Sequence, residues 1–234
     1  MPARLARRWL KHKPIFSFLL NSISSVSCIH SVNGKESLEE YKEKRDFSAT
    51  PEPTGKLGER NSEPIFVIQK HDARNLHYDL RLESEGVLKS WAVPKGPSMD
   101  TKVKRLAVPT EDHPMAYADF EGVIPEGHYG AGTVLIWDSG TFQNTKGEDA
   151  SFAENLKEGH ATIQMSGSKL VGKFALIRTK RGGKRPPWLF FKMKDEYSMP
   201  GSDITVEYPN SSKTGRSLSE VTEQEAPVDL GDFE

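Results

Sequence analysis

The sequence predicts a mainly β domain, either a sandwich or a compact antiparallel barrel, with a few short helices. Two observations carry this reading. Between Phe66 and about Tyr197, short runs rich in β-branched and aromatic residues alternate with Gly, Pro and Asp turn signals. Long stretches with apolar residues at helical spacing are lacking over the same region.

The chain has 234 residues, enough for one generous domain or two small ones, and a single domain is favoured. Hydrophobic content is 35% and mean hydropathy −0.60, so part of the length is expected to lie outside the folded core. The ends are the candidates. Residues 1 to 35 contain no acid, whereas Arg4, Arg7, Arg8, Lys11 and Lys13 come early and serines crowd Ser17 to Ser31. That composition suits an organellar, here mitochondrial, transit peptide in an intracellular protein. A disordered extension or a misplaced start codon explains it as well.

Ser37-Leu38-Glu39-Glu40 has the form of a capping box, and Tyr41 to Arg45 continue it as a short packing helix. Thr50 to Gly55 read as a proline-stiffened connection. Strands are expected at Ile65 to Lys70, His77 to Glu83, Leu88 to Val93 and Arg105 to Pro109. Four more follow at Gly132 to Asp138, His160 to Met165, Lys173 to Thr179 and Trp188 to Lys192. Ser151 to Glu158 is a second candidate helix. From Ser198 the chain turns polar and ends acidic, which reads as a flexible tail over residues 198–234. The folded domain would then span residues 36–197.

Several function classes drop out early. A single cysteine, Cys28, excludes a disulfide framework and a thiolate-rich zinc site, so any metal must use His and carboxylate ligands. No apolar run approaches the roughly 18 to 20 residues needed to cross a bilayer. With a net charge of −1, any nucleic-acid footprint must be local.

The informative stretch runs from Phe66 to Glu83. If His77 to Glu83 is a strand, side-chain alternation puts His77, Asp79, Arg81 and Glu83 on one face and Tyr78, Leu80 and Leu82 on the other. An ordinary solvent face is the bland alternative. His71 weighs against it, because a turn through Asp72 to Asn75 can return it beside His77 and Asp79. Two imidazoles and a carboxylate make an open three-ligand site that suits catalytic Mn, Fe or Zn. Arg81, one step along the same face, can hold phosphate oxygens with its planar fork. A metal beside a fixed guanidinium describes a phosphate-ester site. His77, Asp79 and the distant His113 also fit the His-x-Asp…His spacing of non-haem iron oxygenases, and a non-catalytic nucleic-acid-binding barrel is a third class. The glycine-dense segment Gly122 to Gly132 either cradles phosphate through backbone N–H groups or is a tight barrel corner.

Together these residues resemble the 3′-phosphoesterase domain of bacterial DNA ligase D and its stand-alone relatives. The resemblance runs from about Leu38 to Tyr197 through Tyr41 to Gly55, Gln69 to Glu83, Trp91 to Ser98, His113 to Gly132 and Trp188 to Tyr197. It implies a β-barrel with a polar active-site groove along its interior. It further implies manganese, or another divalent transition metal, on His71, His77 and Asp79, with Arg81 as phosphate ligand. His113 and Tyr117 would join the active site, supported by Lys95, Arg105 and Glu111. The implied substrate is a primer-template 3′ end of DNA or RNA-containing strand, from which a terminal ribonucleoside and then a 3′-phosphate are removed. A separate polymerase, ligase or end-binding protein is the implied partner of a monomeric, membrane-free enzyme. Lys95, Lys102, Lys104 and Arg105 would grip the strand. Arg178, Lys180, Arg181, Lys184 and Arg185 form a second basic cluster that reads as a solvated hairpin tip. The departures are Asn75 where relatives often carry Arg, the extension before Lys35, and the absence of attached polymerase and ligase domains.

Overall fold

Eight antiparallel strands close on themselves in a computed structural model that describes residues 37–58, 62–147, 150–180, 182–183 and 185–225. The strands are β1 (Ile65–Asp72), β2 (Leu76–Ser84), β3 (Val87–Val93), β4 (Arg105–Pro109), β7 (Gly132–Asn144), β8 (His160–Gly167), β9 (Val171–Arg178) and β10 (Trp188–Lys192). Their order is β1-β2-β3-β4-β10-β9-β8-β7, and pairing of β1 with β7 closes the ring. All eight expected strands are present, extended by a few residues where pairing continues past the apolar run. Two short strands went unforeseen. β5 (His113–Pro114) pairs with β3, and β6 (Gly122–Ile124) pairs with β7, with a 3-10 turn over Met115–Asp119 between them. Pieces of two or three residues leave no periodic trace in a sequence.

The ring is small enough to be filled by its own side chains. Phe66, Ile68, Leu80, Trp91, Ala107, Trp137, Ile163, Phe174, Leu176 and Phe190 belong to one buried cluster to which every barrel strand contributes. Phe174 stacks on Phe190 with ring centroids 5.1 Å apart. The barrel interior is therefore apolar, which corrects the expectation of a polar groove along it. A second cluster, containing Leu38, Tyr41, Leu88, Met115, Tyr117, Phe120, Ile124 and Val134, covers the opposite face of the β1–β3 wall. It is supplied by α1 (Glu39–Glu43), the 3-10 turn and β6.

Helix α2 (Phe152–Glu158) begins with the reciprocal bonds of a capping box, Ser151 Oγ accepting from the Glu154 N–H and the Glu154 carboxylate accepting from the Ser151 N–H. The expected box at Ser37 does not form, because that hydroxyl donates to Asp112 and α1 has no side-chain cap. A long-range partner won over the local one.

The flexible tail expected from Ser198 is instead packed as far as residue 225. α3 (Ile204–Glu207) buries Ile204 in the main cluster, and α4 (Leu218–Glu225) buries Val221 there. Few apolar residues, widely spaced, anchor this segment, so its average polarity concealed them. The targeting expectation for residues 1–35 lies outside the described residues. Among the described residues no helix is long and apolar enough to cross a membrane.

A buried Ile→Ala change in a well-packed site costs about 2–5 kcal/mol. Ile204→Ala is accordingly expected to lower the unfolding free energy from urea titration by an amount in that range, whereas a detached tail would leave it unchanged.

Candidate active site

Strand register assembles the site. His71 on β1 lies opposite His77 on β2, and Gln69 lies opposite Asp79. Next to them Arg81 faces Ser90 and Asp79 faces Ala92 across the β2–β3 ladder. Alternation then sets Gln69, His71, His77, Asp79, Arg81 and Ser90 on the face turned away from the barrel interior. Between Ile68 and Gln69 the β1–β7 register skips Trp137, a bulge immediately before the first two of these side chains.

His71, His77 and Asp79 offer ligand atoms that all lie within 4.8 Å of one another. His71 Nδ1 is 3.8 Å from Asp79 Oδ2, and His77 Nε2 is 3.6 Å from Asp79 Oδ1. The other nitrogen of each ring is already committed. His71 Nε2–H donates to the Gly130 carbonyl at 2.9 Å, and His77 Nδ1–H donates to the Asn75 carbonyl at 2.8 Å. Because a carbonyl can only accept, these bonds put a proton on each of those two nitrogens, so the nitrogens facing Asp79 are the ones a metal would take. The donor set fits a divalent transition metal, as two neutral imidazoles and an ionised carboxylate require.

Asp79 is held ionised. Burial would raise its carboxyl, but the Arg81 guanidinium and the two imidazoles outweigh this and bring it down to about 2. Arg81 uses three N–H groups within the protein, giving Nε to Gln69 (2.6 Å), Nη1 to Ser90 Oγ (3.1 Å) and Nη2 to Asp79 (2.9 Å). Two of its five donors remain. Its guanidinium also lies over the Tyr117 ring, 4.7 Å from the centroid.

These groups line one cavity of about 250 Å³ together with Glu111, His113, Tyr117, Arg45 and Tyr129. β5 brings in His113, whose Nδ1–H donates to the Glu111 carbonyl at 2.9 Å, so its Nε2 accepts from Arg45 Nη2 at 3.3 Å. Burial, reinforced by Arg81 and Arg45, holds this imidazole well below its ordinary value, and therefore neutral. Among the described residues the metal-spaced group does not include His113, which removes support for an oxygenase set of His77, Asp79 and His113.

Of the nine residues expected in the site, seven converge and two do not. Lys95 is exposed in the turn after β3. Arg105 stands on β4 at the same parity as Ala107, whose side chain belongs to the barrel interior, and its charge is felt by Asp203 instead. Neither lines the cavity. Three participants were missed. Arg45 and Glu52 come from the segment read as a packing helix and a stiff connection; Arg45 Nε donates to Glu52 at 2.8 Å and Nη1 to Glu111 at 3.1 Å. Tyr117 Oη also donates to Glu52, at 2.9 Å. Gln69 was within reach of the alternation argument, since it shares a face with His71. The glycine-dense loop contributes a carbonyl, at Gly130 with φ +78°, and not an N–H cradle. In the second basic cluster, Arg178 donates to the Lys157 carbonyl at 3.0 Å and Arg185 pairs with Glu40. Arg181 and Lys184 lie outside the described residues.

Residues 69–178 match the family model of the DNA ligase D 3′-phosphoesterase domain. That stretch belongs to this family. The chain is 50% identical over 185 residues to the multifunctional non-homologous end joining protein LigD of Pseudomonas aeruginosa, covering 77% of this chain and 22% of that protein. With LigD of Mycolicibacterium smegmatis it is 47% identical over 172 residues, 72% of this chain and 22% of the relative. The LigD of Mycobacterium bovis is 48% identical over 163 residues, 68% of this chain and 20% of the relative. The chain thus spans about a fifth of the length of these curated relatives. They are bacterial and lend no support to mitochondrial targeting.

Because the folded His113 resists protonation while an unfolded histidine titrates near 6.5, the unfolded chain gains a proton first as pH falls. Stability is therefore expected to decline below about pH 6.5, with this residue contributing a slope of up to about 1.4 kcal/mol per pH unit. Urea titrations of metal-chelated wild type and His113→Gln check this, the variant showing a shallower loss between about pH 6.5 and 5.

Proposed function

We propose that this chain is a metal-dependent phosphoesterase that clears blocked 3′ ends of nucleic acid for end-joining repair. The observation that carries the proposal is the convergence of two imidazole nitrogens and one ionised carboxylate beside a buried guanidinium with two free N–H donors. Family membership supplies the reaction class. Manganese is the proposed ion, and the two steps are removal of a 3′-terminal ribonucleoside by phosphodiester cleavage and of the remaining 3′-phosphate.

Charge balance agrees with an anionic substrate. Lys44, Arg45, Arg81 and Arg185 are linked to Glu40, Glu52, Asp79 and Glu111, four cations against four carboxylates. A divalent ion on His71, His77 and Asp79 would leave the cavity with an excess of two positive charges, matched to a phosphate. When bound, such an ion polarises a phosphoryl oxygen and lowers the pKa of a coordinated water.

The chain's own groups do the rest. Gly130 and Asn75 carbonyls hold the imidazoles in their ligating tautomers. Arg81 is kept in place by Gln69, Ser90 and Asp79, so its remaining donors are pre-aimed and need no rearrangement as charge builds on the phosphoryl group. Neutral His113 holds Arg45 through Nε2. That arrangement favours a role in positioning Arg45 over proton donation to the leaving oxygen, because the imidazole has no spare proton on that nitrogen. Tyr117 stacks on Arg81 and, through Glu52, ties the N-terminal segment to the site. Surface Lys102 and Lys104 are proposed to add a salt-sensitive grip on the strand.

The test uses a labelled duplex with one 3′-terminal ribonucleotide, with and without Mn²⁺. Wild type with metal is expected to yield a 3′-phosphate and then a 3′-hydroxyl, and His77→Ala neither. Arg81→Ala is expected to lose about a hundred- to a thousandfold in rate. Equal turnover by wild type and His77→Ala would refute the assignment.

A further inference from the structure

Among the described residues that line the reaction cavity, Tyr129 is the one that is exposed, with 48% of its surface open. The metal-facing group and Arg81 lie deeper, so this ring stands at the mouth. Core packing does not account for an aromatic side chain there, because Tyr129 belongs to neither buried cluster.

The ring is nevertheless anchored. Its loop turns twice, with the His128 N–H donating to the Pro125 carbonyl at 3.4 Å and the Ala131 N–H to the His128 carbonyl at 3.1 Å. The next residue, Gly130, orients His71 through its carbonyl, so the ring and a metal-facing imidazole are placed by adjacent residues of one turn. The Tyr129 hydroxyl donates to Glu111 at 3.4 Å and accepts from Lys44 at 3.3 Å. Lys44 Nζ lies 4.6 Å from the ring centroid and the Arg45 guanidinium 5.5 Å. With nearly half of the residue open, these two cations leave ring surface free at the mouth.

An anchored, half-open aromatic ring beside a phosphate site suits one part of a nucleotide. A phosphoryl group drawn to the metal-facing residues and Arg81 brings its sugar and base toward the opening. Every base has a π-face that an aromatic side chain can meet, whatever the sequence. We propose that Tyr129 is the platform on which the base of the nucleotide bearing the 3′-phosphate stacks. This rests on the phosphoesterase reading. It makes the enzyme sensitive to the presence of a base at the 3′ end and indifferent to which base it is.

Two variants probe it. Tyr129→Ala removes the ring, and Tyr129→Phe keeps the ring and removes the hydroxyl; the position lies outside both buried clusters, so the fold is expected to persist. Rates with Mn²⁺ are compared on two oligonucleotides that end in a 3′-phosphate and differ only in carrying a natural base or a stable abasic sugar at the last position. Wild type is expected to lose about tenfold in kcat/KM on the abasic end, chiefly through KM, as for one lost stack of a base on an aromatic ring. Tyr129→Ala should lose about as much on the natural end and little more on the abasic one, while Tyr129→Phe should keep the wild-type preference. Equal wild-type rates on the two ends, or a Tyr129→Ala protein weakened alike on both, would overturn the proposal. So would a Tyr129→Phe protein as impaired as Tyr129→Ala, since the hydroxyl contacts to Glu111 and Lys44 would then carry the effect.

Fluorescence-polarisation titration of metal-free protein with the corresponding 3′-hydroxyl oligonucleotides separates the platform from the reaction. Base-dependent binding by wild type, lost in Tyr129→Ala, without any hydrolysis once Mn²⁺ is added would retain the platform and remove the phosphoesterase reading. Hydrolysis and binding that both ignore the base would do the reverse.

Discussion

The pairing of Arg81 with Asp79 is the contact on which the site depends. Both side chains are buried, and burying two charges is costly unless each finds good partners. Here the partners are supplied. Gln69 Oε1 accepts from Arg81 Nε, while its amide donates to the Tyr117 and Phe120 carbonyls at 3.0 and 2.8 Å. Ser90 takes a further guanidinium N–H. One buried cation therefore ties β1, β2 and β3 to the 3-10 turn, and the same cation keeps Asp79 ionised for a metal. The structural and chemical demands fall on the same atoms.

A row of polar groups on the outer wall of a barrel would ordinarily be wet and mobile. It becomes a site because a second layer roofs it. Tyr41 packs edge to face on His113 and on Tyr117, and Arg45 lies 3.9 Å over the Tyr41 ring. Excluding water from the Arg45–Glu52–Tyr117 group strengthens each of its electrostatic contacts, at the cost of leaving Glu52 Oε2 buried with no hydrogen-bond partner among the described residues. The barrel interior, filled with aromatic rings, keeps the wall stiff enough for ångström-scale spacing between the imidazoles and the carboxylate.

The barrel strands were legible because each carries an apolar run long enough to show, bounded by turn residues. Legibility of the metal-facing triad came from a single strand period, with His71 added by the reach of one turn. What could not be read was set by contacts distant in sequence. Arg45 and Glu52 meet Glu111 and Tyr117 across more than sixty positions, and no local pattern marks them. Lys95 and Arg105 show the converse failure. Both are basic and lie next to strands, yet the parity and position of their elements turn them from the cavity. Segment polarity likewise concealed the docking of residues 199–225, where Ile204 and Val221, with Met199 and Leu218 packed beside them, anchor a stretch that is polar on average.

The C-terminal segment also bears on the chemistry. Glu121, at the start of the loop that ends in Gly132, accepts from Ser211, Thr214 and Arg216, and Thr133 bonds Thr222 across to α4. β6 and the glycine-dense loop are thus clamped between β7 and α4. Gly130 sits within that clamped loop, and its carbonyl selects the His71 tautomer. Gly132 cannot carry a side chain at all, since a Cβ there would lie 2.2 Å from the Asp72 carbonyl oxygen, at the turn that joins β1 to β2. The orientation of one metal-facing imidazole is thereby tied to packing near the far end of the sequence. A fold that needs a lone pair aimed at one point must immobilise the carbonyl that holds the opposite nitrogen, and here a polar clamp on Glu121 accomplishes it.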